Sequence, residues 1–121
     1  MKVLRTVLIA GLMMGASWSA NAHPLPKTAT PAPNAILSVS PTEIRIGFSE
    51  AVVIAFTGLE VDDASGTAVA TGDATVDPAD PKELIVPIKA KLAAGTYTVK
   101  WHAVGDDTHH MAGHYSFQVK Q

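Results

Sequence analysis

His23 follows Ala20-Asn21-Ala22, a small-residue pattern of the kind signal peptidase cuts. Cleavage after Ala22 would put a free α-amine and an imidazole on one residue. The amine and ring Nδ1 could then close a six-membered chelate around a metal ion. Pro24 comes next, and its nitrogen carries no hydrogen. A Cu(II) ion held at His23 therefore cannot deprotonate the following amide and wind into successive backbone nitrogens. Its remaining donors must come from elsewhere in the fold.

The complement lies near the other end, in Asp106-Asp107-Thr108-His109-His110-Met111. Asp107 and His109 are two apart, so in an extended segment they project to the same side. Two nitrogens from His23, one from His109 and an oxygen from Asp107 make an N₃O set. That set suits tetragonal Cu(II), which stands at the top of the Irving–Williams order. Asp107 can serve as a ligand or as the acceptor that orients an imidazole. Zinc competes for the same donors but prefers a tetrahedral site. The chain has no cysteine, so thiolate sites for zinc or Cu(I) are excluded, as are disulfides.

Lys2 and Arg5 precede the apolar run Val7-Leu8-Ile9-Ala10-Gly11-Leu12-Met13-Met14-Gly15-Ala16. With the Ala-Asn-Ala site this completes the order of a secretory signal. The run is shorter than the roughly 20 apolar residues a membrane span needs. The expected division is residues 1–22 as a cleaved signal peptide and 23–121 as one β domain, exported and not inserted in the membrane. Cleavage leaves 99 of 121 residues, enough for a single core. It also removes Lys2 and Arg5, leaving seven basic against eleven acidic residues, a formal charge of −4. Such a surface lacks the basic footprint of a nucleic-acid binder.

The elements that must position these residues read as strands. Pro24, Pro26, Pro31 and Pro33 keep the leading segment extended, along a sheet edge that delivers His23 to a fixed place. Ile44, Ile46 and Phe48 alternate with polar or small residues, as do Leu59 and Val61, and Leu84, Val86 and Ile88. Pro87 pushes that last set toward an edge or a bulge. Asp62-Asp63-Ala64-Ser65-Gly66 is turn chemistry. Tyr97, Val99, Trp101 and Ala103 share one face, and Tyr115, Phe117 and Val119 another. No segment keeps a helical period. An antiparallel sandwich or Greek-key barrel follows. A hairpin centred on Thr108 would set Trp101 opposite Tyr115 and Val99 opposite Phe117, with Val104 to Gly113 as the connection. It would also set His102 opposite His114.

The region after Ala22 resembles the CopC family of periplasmic copper-resistance and copper-carrier proteins. The likeness rests on His23-Pro24, Phe48-Ser49-Glu50, Ala94-Gly95-Thr96-Tyr97-Thr98-Val99-Lys100-Trp101, Asp107-Thr108-His109, Gly113 and Phe117-Gln118-Val119-Lys120. It implies an all-β, immunoglobulin-like Greek-key β-sandwich or barrel. It implies one Cu(II) per chain, held by His23, Asp107 and His109, in a non-enzymatic protein of copper resistance and homeostasis. A membrane copper transporter or a cuproenzyme would be the protein partner. Some family members also bind Cu(I) through a methionine-rich loop. Here Met111 is the one methionine after residue 22, so a Cu(II)-only member is expected.

Two other function classes fit parts of the pattern. An N-terminal histidine with a second histidine resembles the brace of copper-dependent polysaccharide oxygenases, but this chain is small and lacks a row of exposed aromatics. An immunoglobulin-like structural domain with incidental histidines would bind no metal tightly. His110 reads as a surface histidine or an alternative ligand, and Met111 as packing or a weak Cu(I) contact. His102 and His114 read as exposed histidines or, if adjacent, a secondary metal pair.

Overall fold

Alternation along each strand decides the architecture. In β3 (Glu43–Phe48) Ile44, Ile46 and Phe48 are buried, while Glu43, Arg45 and Gly47 are only partly covered. The same period runs through β7 (Gly95–Val104), which buries Tyr97, Val99, Trp101 and Ala103. Each strand thus offers one apolar face, and two such faces close a core. The computed structural model describes residues 24–120. The expected signal segment and His23 lie outside the described residues.

The other strands are β1 (Pro26–Thr30), β2 (Ile36–Leu37), β4 (Gly58–Asp62), β5 (Thr75–Asp77), β6 (Asp80–Pro87) and β8 (His110–Val119). A short 3₁₀ turn spans Ile54–Phe56. They form two four-stranded sheets, in the orders β1-β3-β6-β5 and β2-β8-β7-β4. The pairing is antiparallel except for the parallel β2–β8 contact. This is the expected sandwich. No helix among the described residues is long and apolar enough to cross a membrane.

Phe48 and Trp101 meet edge to face across the core at 5.5 Å, and Tyr97 stacks on Phe117 at 5.6 Å. The Tyr97 hydroxyl donates to the Ala93 carbonyl at 2.7 Å, so its polar end is satisfied. Full burial of a side chain such as Phe117 or Ile44 contributes roughly 1.5–3 kcal/mol. Tyr115 differs: its buried hydroxyl has no partner among the described residues, and burial pushes its phenol up to about 12.

Three expectations need correction. The β7–β8 hairpin pairs Trp101 with Gly113, Val99 with Tyr115 and Tyr97 with Phe117, a shift of two residues from the Thr108-centred register. The cause is the indole ring, which lies across Gly113. A Cβ there would stand 2.6 Å from Trp101 Cζ2, so only glycine fits opposite the ring. A shift of two leaves every side chain on its expected face. Secondly, β6 is a central strand, paired with β3 and β5. Pro87 is tolerated because it is the strand's last residue, beyond the end of the β5 pairing. Thirdly, Asp62 is not a turn residue. It ends β4 and takes an ion pair from Lys100 Nζ at 2.7 Å. Asp63 does build the turn, accepting from the backbone N–H groups of Ser65 and Thr67, with Gly66 at φ 83°.

Candidate metal centre

The proline-rich start of the domain is fixed where β3 ends. Pro24 is fully buried. Leu25 N–H donates to Ser49 Oγ at 3.0 Å, and Ser49 N–H donates to the Leu25 carbonyl at 2.8 Å. From there β1 runs antiparallel to β3 along the sheet edge, a position that suits Pro26. The residue after Ser49 is Glu50. Ile44, Ile46, Phe48 and Glu50 share one phase, so Glu50 carries the inward register of β3 past the end of the strand.

The β7–β8 connection meets this segment from the other sheet. It is shorter than the sequence suggests, spanning residues 105–109. Val52 bridges to Gly105, Val53 N–H donates to the Val104 carbonyl, and Val104 N–H donates to Thr57 Oγ1 at 3.1 Å. These bonds fasten the base of the loop. Within it Thr108 N–H donates to Gly105 O, and Gly105 N–H to His109 O. Thr108 stands at φ 68°, a left-handed conformation that is costly for a β-branched residue.

That turn brings Asp107 and His109 together. The expected meeting occurs, but through a tight loop and not an extended segment. His109 Nδ1 lies 2.5 Å from Asp107 Oδ2, and His109 backbone N–H donates to Oδ1 at 3.1 Å. An ionised carboxylate can only accept, so Nδ1 carries the hydrogen. The tautomer is thereby fixed, and Nε2 becomes the nitrogen suited to a metal. The hydrogen bond from the His109 side chain holds the Asp107 carboxyl below the usual carboxylate range, against the opposing effect of burial.

Glu50 is the residue sequence reasoning left without a role. Its Oε1 is buried with no partner among the described residues. It fills the space a Cβ at Gly105 would occupy, and Asp107 Oδ1 lies 3.2 Å from that same point. A buried carboxylate oxygen is expensive to leave unpaired, unless a cation or a proton meets it. A carboxylate in the inward phase of β3 was the available signal. Among the described residues, no three His, Asp or Glu side chains are gathered closely enough to hold a metal ion by themselves. His23, the remaining expected donor, lies outside them.

The CopC domain family model matches residues 26–120. The chain belongs to the CopC family. Copper resistance protein C of Escherichia coli is 35% identical over 122 residues, covering 96% of each chain. Among solved structures, CopC from Methylosinus trichosporium OB3b superposes with a TM-score of 0.75 at 28% identity, covering 81% of this chain and 94% of that one. PcoC of Escherichia coli, described as a methionine-rich copper resistance protein, gives 0.73 at 33% identity, covering 81% and 99%. The present chain differs in composition: of its four methionines, only Met111 falls within the matched domain. Met111 faces inward opposite Ala103 and packs against the core.

The other histidines of this CopC domain do not converge. His102 pairs with Gly58 and Ala112, and His114 with Lys100. The expected His102–His114 opposition is therefore absent. The His102 ring also leans over Gly58, toward β4 and away from β8. His110 is exposed on the first residue of β8.

Proposed function

We propose that this CopC domain is an exported Cu(II) carrier or buffer in copper resistance. Residues 1–22 are its cleaved signal, and residues 23–121 are the mature periplasmic protein. Copper is cargo, one ion per chain. His23 contributes its α-amine and Nδ1, and His109 contributes Nε2. Asp107 fixes the His109 ring, and its oxygens keep lone pairs with which to meet the ion. Glu50 adds a buried carboxylate oxygen on the inner side. A membrane copper transporter or a cuproenzyme is the natural recipient or donor.

The observation that carries this reading is an imidazole pre-oriented by Asp107 on a loop whose base meets a buried Glu50 oxygen without a partner among the described residues. Both stand at the sandwich end where Pro24 and Leu25 are pinned. His23 is bonded directly to Pro24, and consecutive Cα atoms are about 3.8 Å apart. Relatives named copper resistance protein C, in Escherichia coli, Pseudomonas syringae and Xanthomonas campestris, support a role in copper resistance.

Titrating the chain that starts at His23 with Cu(II), followed by EPR, tests the proposal. One tetragonal nitrogen-coupled signal should saturate at one equivalent, and His109→Ala should abolish or reshape it. A spectrum identical in wild type and His109→Ala would contradict the assignment.

A further inference from the structure

The sandwich protects its strand edges unevenly. β1 carries Pro26 and Lys27, and its register breaks between Pro26 and Thr28. β5 has three residues and a second register break. β4 carries Glu60 and Asp62, and its end is covered by bonds from Val69 N–H to Val61 O and from Asp63 N–H to Thr67 O. Prolines, charges, bulges and short strands are the usual defences against edge pairing. β8 has none of them. It is ten residues long, HMAGHYSFQV, without Pro, Lys, Arg, Asp or Glu. Its partner β2 covers only Gln118 and Val119.

Among the described residues, the atoms left open can be named. Asn34 N–H donates to Ser116 O, Gln118 N–H to Ala35 O, and Lys120 N–H to Leu37 O. Even-numbered residues of β8 therefore turn their backbone groups away from β7. The β7–β8 register runs unbroken to His110. By alternation, the N–H and C=O groups of His110, Ala112 and His114 point off the edge, and β2 does not reach them. All three side chains are exposed on the outer face.

We propose that a second copy of this chain pairs antiparallel along this edge, about a two-fold axis at Ala112. Ala112 then faces the partner's Ala112, and His110 faces the partner's His114. Each of these three pairs exchanges two backbone hydrogen bonds. The strand is self-complementary in this register: its central residue is small and no formal charges oppose. Centring on His114 would require Ser116 O, which Asn34 already uses. Centring on His110 would drive the partner into the 105–109 loop.

The chain has no cysteine, which makes the test clean. Hydrogen-bonded antiparallel pairs hold Cα atoms about 5.5 Å apart, within disulfide range. Ala112→Cys should form a covalent dimer under mild oxidation. His114→Cys should not, because its symmetry mate would lie four residues away, about 13 Å along the strand. In sedimentation velocity Ala112→Lys should raise the dimer dissociation constant at least about tenfold, by setting like charges opposite each other. Circular dichroism confirms that each variant is folded. Equal cross-linking of the two cysteine variants would overturn the proposal. So would a dimer unaffected by Ala112→Lys, or a wild-type chain that stays monomeric up to millimolar concentration.

Discussion

The Asp107 carboxylate grips His109 at two points, accepting from the ring Nδ1 at 2.5 Å and from the backbone N–H at 3.1 Å. One side chain thereby sets both the tautomer and the direction of the imidazole before any ion arrives. Removing an acceptor of this kind typically costs about 10–100-fold in metal affinity. Asp107→Ala should weaken Cu(II) binding by that order in a competition titration. Asp107→Asn should fall between wild type and alanine, because its amide oxygen can still accept from Nδ1. An unchanged affinity in Asp107→Ala would remove Asp107 from the site.

Glu50 should behave oppositely in the two states of the protein. Its buried oxygen has no partner among the described residues, so the desolvation of that atom is uncompensated without metal. Glu50→Gln should leave the metal-free melting temperature unchanged or higher. The stabilisation gained on adding Cu(II) should shrink, since that gain tracks affinity. A thermal melt with and without copper reads both effects. Equal copper stabilisation in wild type and Glu50→Gln would show that Glu50 does not sense the ion.

Acidification should release copper well above the range where Asp107 titrates. The free α-amine has a pKa of about 7.7–8.0 and histidine about 6.5, and copper must displace those protons. Apparent affinity should therefore fall steadily from pH 8 to pH 6. Asp107 is lowered in the folded protein. Its contribution to stability is present above its unfolded value of about 3.9 and is lost only as pH falls through the lower folded value. An affinity that stays flat from pH 8 to 6 would exclude the amine as a donor.

The Trp101–Gly113 contact fixes the hairpin that carries the loop. Gly113→Ala would place a methyl group 2.6 Å from the indole. Overpacking of this kind costs about 1–3 kcal/mol. A denaturant melt should show that loss, with a changed near-ultraviolet signal from Trp101. Wild-type stability would mean that the ring does not set the register.

Much of this was legible in the residues, because the strands obey a period of two. Ile44-Ile46-Phe48 and Tyr97-Val99-Trp101-Ala103 announce their buried faces without ambiguity. The prolines of residues 24–33 likewise announce an extended edge. Register was harder, since a slip of two residues preserves every face and only the fit of the indole against Gly113 separates the options. β2 and β5 escaped notice because two or three residues carry too little pattern. In the site, the Asp107–His109 pair was visible from spacing, although a left-handed Thr108 makes the contact and extended geometry does not. Glu50 entered only as part of a resemblance, although its place in the inward phase of Ile44, Ile46 and Phe48 was there to be read. Its role emerges when β3 and the β7–β8 loop are seen to meet, a relation between segments more than fifty residues apart.

The N-terminal chelate is the centre of the account, and one added residue tests it. The comparison is between protein beginning at His23, verified by mass, and a variant with a single glycine before His23. The extra residue moves the α-amine away from the imidazole and leaves Glu50, Asp107 and His109 untouched. Cu(II) titration with EPR detection should show one tight tetragonal site in the first protein and its collapse in the second. Equal affinity and identical spectra in both would place the copper elsewhere and contradict the account.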